Sequence, residues 1–219
     1  MKRRTIFIWD IHWCYDELKL LLKKINLTEK DKVYFVGDYI NKWPRSFKVL
    51  RFIYKNREQF RWVLWNHDYF FLKWLKWETV DYWTKKFEKL KIKLEENPEI
   101  LEYYKNLPLY IKEDNFLLIH WWLNPNKKLK EHSAEEITTL RVINNEPWYN
   151  LYKGEKKVIY WHWATQWINI RKNVVWLDSW CCYWWYLSAY ILETWELIQQ
   201  SSQDQYAQID YSHINPVFQ

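Results

Sequence analysis

Thr5-Ile6-Phe7-Ile8-Trp9-Asp10-Ile11-His12 carries a short apolar, β-prone run straight into an aspartate and a histidine. Thr5–Ile8 reads as a strand, and Asp10 and His12 fall just past its carboxyl end. The arrangement recurs down the chain. Val33–Val36 is followed by Gly37-Asp38, and Arg61–Leu64 by Trp65-Asn66-His67-Asp68. Phe116–Ile119 is followed by His120, and Val158–Tyr160 by Trp161-His162. In open α/β sheets ligands bind beyond the carboxyl ends of strands. Five successive strands ending in metal-competent side chains therefore point to one shared centre. Singly, an Asp after a strand is a turn residue and a His a hydrogen-bonded structural one. Four of the six histidines falling this way is a different observation. His132 and His213 lie in polar segments and receive no role.

Between the early strands lie segments of helical period. Tyr15–Ile25 places Leu18, Leu21, Leu22 and Ile25 on one face. The next opens near Pro44 and carries Phe47, Leu50, Ile53 and Tyr54. Strand, helix, strand, helix is the start of an α/β fold. The stretch from about 69 to 106 lacks strand signals and reads as a helical insertion broken at Pro98. Ser133 and Glu136 are spaced as a capping box. A further strand is expected over Val174–Leu177, and Ala189–Leu192 with Leu197–Gln200 reads as a hairpin. Residues 1–200 form one domain, and the polar residues 201–219 are expected to be a loosely held tail.

Composition excludes several classes. With 49% hydrophobic and 27% charged residues the chain is globular and not disordered. The run Ile6–Trp9 is too short for a signal core or a membrane span, so a cytoplasmic protein with no membrane partner is expected. Cys14, Cys181 and Cys182 form no disulfide framework and read as buried thiols in a reducing compartment. The net charge of +6 is spread along the chain. It favours phosphate-bearing substrates without requiring a nucleic-acid partner.

One count is abnormal: 2 Gly against 19 Trp. Ordinary usage gives roughly 15 Gly in this length. Many of the tryptophans stand where a chain turns, as in Thr194-Trp195-Glu196, Trp121-Trp122 and Trp184-Trp185. Taken literally, they make an aromatic-rich basic module that stacks single-stranded nucleic acid. Such a module interleaves aromatics with basic residues along a groove, whereas these sit at strand ends beside Asp and His. We read most of them as standing in for glycine. Some organisms decode UGA as glycine while another variant code decodes it as tryptophan, and translation with the wrong table leaves this pattern. UGG codons at Trp9, Trp13, Trp65 and Trp161 would contradict that reading. Trp148 and Trp163 are read as true tryptophans. A left-handed backbone costs a bulky residue about 1–2 kcal/mol, so the literal chain is expected to fold poorly and to be nearly inactive.

With glycine at those positions, Trp9–Trp13 becomes G-D-x-H-G and Gly37–Trp43 resembles G-D-x-x-x-R-G. Trp65–Asp68 becomes G-N-H-D, His120–Trp122 becomes H-G-G, and Trp161-His162 becomes G-H. The ordered set resembles the phosphoprotein-phosphatase type of calcineurin-like metallophosphoesterase over about residues 5–200. The stretches His12–Leu18, Leu177–Trp185 and Trp161–Ala164 are similar to its symmetrical bis(5'-nucleosyl)-tetraphosphatase branch. The resemblance implies β-sheets sandwiched between helices (α/β/β/α). It implies one metal on Asp10, His12 and Asp38, and a second on Asp38, Asn66, His120 and His162. Manganese leads the candidates, with iron, zinc and cobalt behind it. It further implies attack by a metal-bridging hydroxide, a general acid at His67, and phosphate held by Asn66, Lys42 and Arg141. Lys42 stands where the family has Arg, turning a bidentate clamp into a point charge. Asn41 stands where the protein-phosphatase branch has Asp. Symmetrical dinucleoside tetraphosphate hydrolysis is thus the leading expectation, ahead of a Ser/Thr-type protein phosphatase. A nucleic-acid-binding module and a degenerate, metal-free scaffold are the remaining alternatives.

Overall fold

The computed structural model describes residues 3–9, 11–12, 14–36, 46–76, 78, 84–139, 142–143, 146–160, 169–176 and 179–206. Strands β1 (Thr5–Trp9), β2 (Lys32–Val36) and β3 (Phe60–Trp62) alternate with helices α1 (Tyr15–Lys24) and α2 (Ser46–Lys55). Three helices follow: α3 (Asn66–Leu75), α4 (Thr84–Glu95) and α5 (Pro98–Lys105). Strands β4 (Tyr110–Lys112) and β5 (Phe116–Ile119) come next, then α6 (Ala134–Thr139). The small pair β6 (Val142–Ile143) and β7 (Glu146–Pro147) precedes the single turn α7 (Trp148–Leu151). The chain continues through β8 (Lys157–Tyr160), β9 (Asn169–Ile170), β10 (Val174–Trp176), β11 (Tyr186–Ile191) and β12 (Glu196–Ser201).

Two five-stranded sheets form, in the orders β12-β11-β1-β2-β3 and β4-β5-β8-β10-β9. The centre of each is parallel, β1 with β2 and β2 with β3 in the first, β5 with β8 and β8 with β10 in the second. The outer strands run antiparallel. Side-chain alternation explains how the sheets pack. Leu118, Ile159 and Val175 face the first sheet and join its core, while Leu117, Ile119, Val158, Tyr160, Val174 and Trp176 face the other way. Phe116 meets Phe7 edge-on at 4.9 Å and Tyr34 at 4.9 Å, bridging the two sheets. Helix α1 covers β11 and β12, α2 lies against β3, and Trp148 of α7 covers the far face of the second sheet. The expected α/β/β/α sandwich is what forms.

Three expectations need correction. The third strand stops at Trp62 instead of reaching Leu64, because Leu64 turns away to donate to the Pro108 carbonyl at 2.7 Å. The helical insertion starts at Asn66, three residues earlier than expected, and Pro98 opens α5 within it. Residues 202–206 are not loosely held. Ser202 N–H donates to the Trp185 carbonyl at 2.7 Å. Gln203 N–H and the Tyr206 hydroxyl donate to the buried Glu17 Oε1 at 2.9 and 2.7 Å. The expected cap on α6 is present: Ser133 N–H donates to Glu136 Oε2 and Glu136 N–H to Ser133 Oγ.

Left-handed backbone occurs at His12, Asn26, Trp180, Trp184 and Trp195 among the described residues. Asn26 is accounted for by helix termination. Its N–H donates to the Lys23 carbonyl and that of Leu27 to the Leu22 carbonyl, the Schellman pattern in which Asn is an accepted substitute for Gly. Tryptophan has no such aptitude, yet φ is 55° at Trp180, 83° at Trp184 and 62° at Trp195. Trp184 and Trp195 are each 59% exposed, so their rings gain little burial in return. Trp148 is the opposite case, buried with its indole N–H donating to the Trp121 carbonyl at 3.0 Å. The buried indole nitrogens of Trp9, Trp122 and Trp176 have no acceptor among the described residues.

Candidate active site

Because β1, β2 and β3 are parallel, their carboxyl ends share one edge of the first sheet, and those of β5, β8 and β10 share one edge of the second. His12 follows β1, is 4% exposed and sits at φ 40°. Asn66 and His67 occupy the first turn of α3, entered from β3 through an extended Trp65. His120 follows β5 directly and is fully buried.

The two edges meet at a specific contact: His120 Nε2 lies 3.1 Å from Asn66 Oδ1. With a proton on Nε2 the imidazole donates to the amide oxygen. With the proton on Nδ1, the same two atoms present lone pairs to a common point. Burial, and then the neighbouring His67, hold the His120 pKa well below the ordinary histidine value. The ring is therefore neutral near pH 7, the form a metal accepts. Donors that coordinate one ion at about 2.0–2.2 Å lie about 3 Å apart. Amide oxygen and imidazole nitrogen at this spacing fit a divalent transition metal. Trp65 stacks on His120 with centroids 5.2 Å apart and planes 7° from parallel. A glycine there would leave that ring face open.

Next to Asn66 and His67, Asp68 is fully buried and accepts from the Tyr104 hydroxyl at 2.5 Å. Nothing in the sequence singles out Tyr104, which comes from α5 at the far end of the insertion. His132 makes structural contacts, as its polar surroundings suggest. Its Nε2 accepts from Asn124 N–H at 2.9 Å, and Nδ1 faces the Lys128 and Leu129 carbonyls at 3.2 Å. Cys14, Cys181 and Cys182 are buried and form no disulfide. Burial and the Cys181 neighbour push the Cys14 thiol far up, so it is inert.

Of the residues expected at the site, His12, Asn66, His67 and His120 are described, and Asn66, His67 and His120 come together. Asp10, Asp38, Asn41, Lys42, Arg141, His162 and His213 lie outside the described residues, as do Trp13, Trp161 and Trp163. No described helix is long and apolar enough to cross a membrane.

Residues 3–188 match the family described as Calcineurin-like phosphoesterase. A curated relative from Vibrio parahaemolyticus, named symmetrical bis(5'-nucleosyl)-tetraphosphatase, is 32% identical over 163 residues, covering 68% of this chain and 58% of that protein. The chain thus spans about three fifths of the length of such relatives. Among solved structures, one titled "Crystal structure of a putative diadenosine tetraphosphatase" aligns with a TM-score of 0.74 at 26% identity, covering 92% of this chain and 94% of that one. A protein serine/threonine phosphatase from Saccharomyces cerevisiae aligns with a TM-score of 0.57 at 13% identity, covering 93% of this chain and 80% of that one, a likeness of fold alone. With the paired sheets, the edge-to-edge meeting of Asn66 and His120, and the match over residues 3–188, the chain belongs to the calcineurin-like phosphoesterase family.

Proposed function

We propose that this chain hydrolyses dinucleoside tetraphosphates symmetrically, releasing two nucleoside diphosphates. The observation that carries the reading is the buried contact between Asn66 and His120, which joins two sheet edges at one metal-competent point. The tetraphosphatase names of its relatives supply the substrate class. In this reading Asp10, His12 and Asp38 hold one divalent ion, and Asp38, Asn66, His120 and His162 a second, manganese being the first choice. When bound, the pair supplies Lewis-acid polarisation of phosphoryl oxygens and acidification of water.

The remaining chemistry belongs to the chain. A bond forms between a water oxygen and one of the two inner phosphorus atoms. The bond from that phosphorus to the central bridging oxygen breaks, and the departing nucleoside diphosphate takes a proton from His67; the attacking water gives up one proton to solvent, from which His67 is reprotonated. His67 sits at the second position of α3, where the positive end of a ten-residue helix favours a nearby anion. Lys42 and Arg141 bind the flanking phosphates. Three buried cysteines without a disulfide suit a reducing, cytoplasmic setting.

Product analysis tests the substrate assignment. Diadenosine tetraphosphate should give ADP alone. AMP with ATP in equal amounts would contradict symmetrical cleavage. Release of inorganic phosphate from phosphopeptides, with the tetraphosphate untouched, would favour a protein phosphatase.

A further inference from the structure

We propose that Tyr104 is a positioning residue for the catalytic turn, acting through Asp68 to hold Asn66 and His67 in place. The inference rests on the function proposed above, because that reading gives Asn66 and His67 their roles. Asp68 is the third residue of α3, directly after these two, so fixing its side chain fixes the turn that presents them. Both partners are fully buried, and the Tyr104 hydroxyl donates to Asp68 Oδ1 at 2.5 Å. Burial and the adjacent carboxylate push the Tyr104 hydroxyl pKa well above its ordinary value, so it remains a donor throughout the working pH range.

The ring itself makes a second attachment. It packs edge-on against Phe71 at 5.9 Å, one turn further along α3 on the same face as Asp68. Phe71 in turn packs against Phe87 of α4 at 5.2 Å. The helices after α3 thus return to grip its first turn. The insertion contributes to the reaction through a hydrogen bond that ends one residue from the proposed general acid.

Tyr104→Phe removes the hydroxyl and keeps the ring contact. A catalytic turn released by a fraction of an ångström loses rate more than substrate affinity. We expect kcat to fall about tenfold while KM changes less than about twofold. Tyr103→Phe is the control, since Tyr103 lies on the same helix but packs against Trp62 and Tyr54. It should leave both constants unchanged. Assays should use diadenosine tetraphosphate and a chromogenic phosphoester in parallel. A chain that turns over only the phosphoester refutes the substrate reading while still testing Tyr104. The imidazole nitrogen resonances of His67 provide a readout independent of turnover, and they should shift in Tyr104→Phe but not in Tyr103→Phe. If Tyr104→Phe does not fold, Asp68→Asn, which keeps an oxygen for the hydroxyl, should retain severalfold more activity than Asp68→Ala. Wild-type kcat and unshifted His67 resonances in Tyr104→Phe, or equal losses in the two Asp68 variants, would overturn the proposal.

Discussion

Tryptophan in the left-handed region is the most testable feature at the scale of single residues. Trp184 and Trp195 combine positive φ with 59% exposure, so they carry backbone strain without the burial that would offset it. Relieving about 1–2 kcal/mol of strain, less the extra unfolded-state entropy of glycine, should leave Trp184→Gly about 0.5–1 kcal/mol more stable. Trp195→Gly also loses the Lys157 ammonium 3.6 Å over its ring and should be near neutral. Trp148→Gly should lose about 4 kcal/mol, since it empties a buried site and removes a satisfied indole donor. Thermal unfolding of the three variants separates the two kinds of tryptophan, and equal destabilisation by all three would refute the distinction. Restoring glycine at the motif positions together should also raise phosphoesterase activity above that of the literal chain. At the site, Asn66→Ala and His120→Ala each remove one member of the 3.1 Å pair. Activity should drop about 100-fold or more in both, because each change removes a ligand candidate directly. A loss below tenfold would take those residues out of the centre.

At the scale of elements, the entry to the first two strands is held by one ion pair. Arg4 Nε and Nη2 donate to Asp31 Oδ1 and Oδ2 at 3.0 and 2.7 Å, and the Thr28 N–H and hydroxyl donate to Oδ2. Burial alone would raise the Asp31 pKa, but the Arg4 and Thr28 hydrogen bonds outweigh it and lower the value to about 2. A carboxylate whose folded pKa is depressed stabilises the fold above its unfolded pKa and ceases to as pH falls through the folded value. Asp31 should thus contribute about 2 kcal/mol that disappears between about pH 4 and pH 2. Denaturant unfolding of Asp31→Asn across that window should show a flatter pH dependence than wild type, and an unchanged slope would contradict the assignment.

The elements also mark how far the residues could be read in advance. Phe116–Ile119 is recoverable as a strand because its apolar run is too short for a helix and is bounded by the polar Glu113-Asp114-Asn115 and by His120. β4 is not, since Tyr110-Ile111-Lys112 is a three-residue edge strand whose pairing with β5, not its own pattern, defines it. The start of α3 is hidden because Trp65 is no ordinary cap and makes no side-chain capping bond. Ligand candidates are legible because strand ends are legible. Tyr104 is not, because its role depends on a contact 36 positions away in sequence.

For the whole molecule, two parallel-centred sheets pack face to face, and the carboxyl ends of β3 and β5 meet. Among the described residues that arrangement brings Asn66, after β3, to His120, after β5, and the proposed dimetal centre is the reading built on that meeting. The most direct measurement is hydrolysis by chelator-treated protein, followed by titration with manganese. The expected result is loss of turnover on chelation and recovery complete near two manganese ions per chain. Turnover unchanged after the metal is stripped would contradict the dimetal centre.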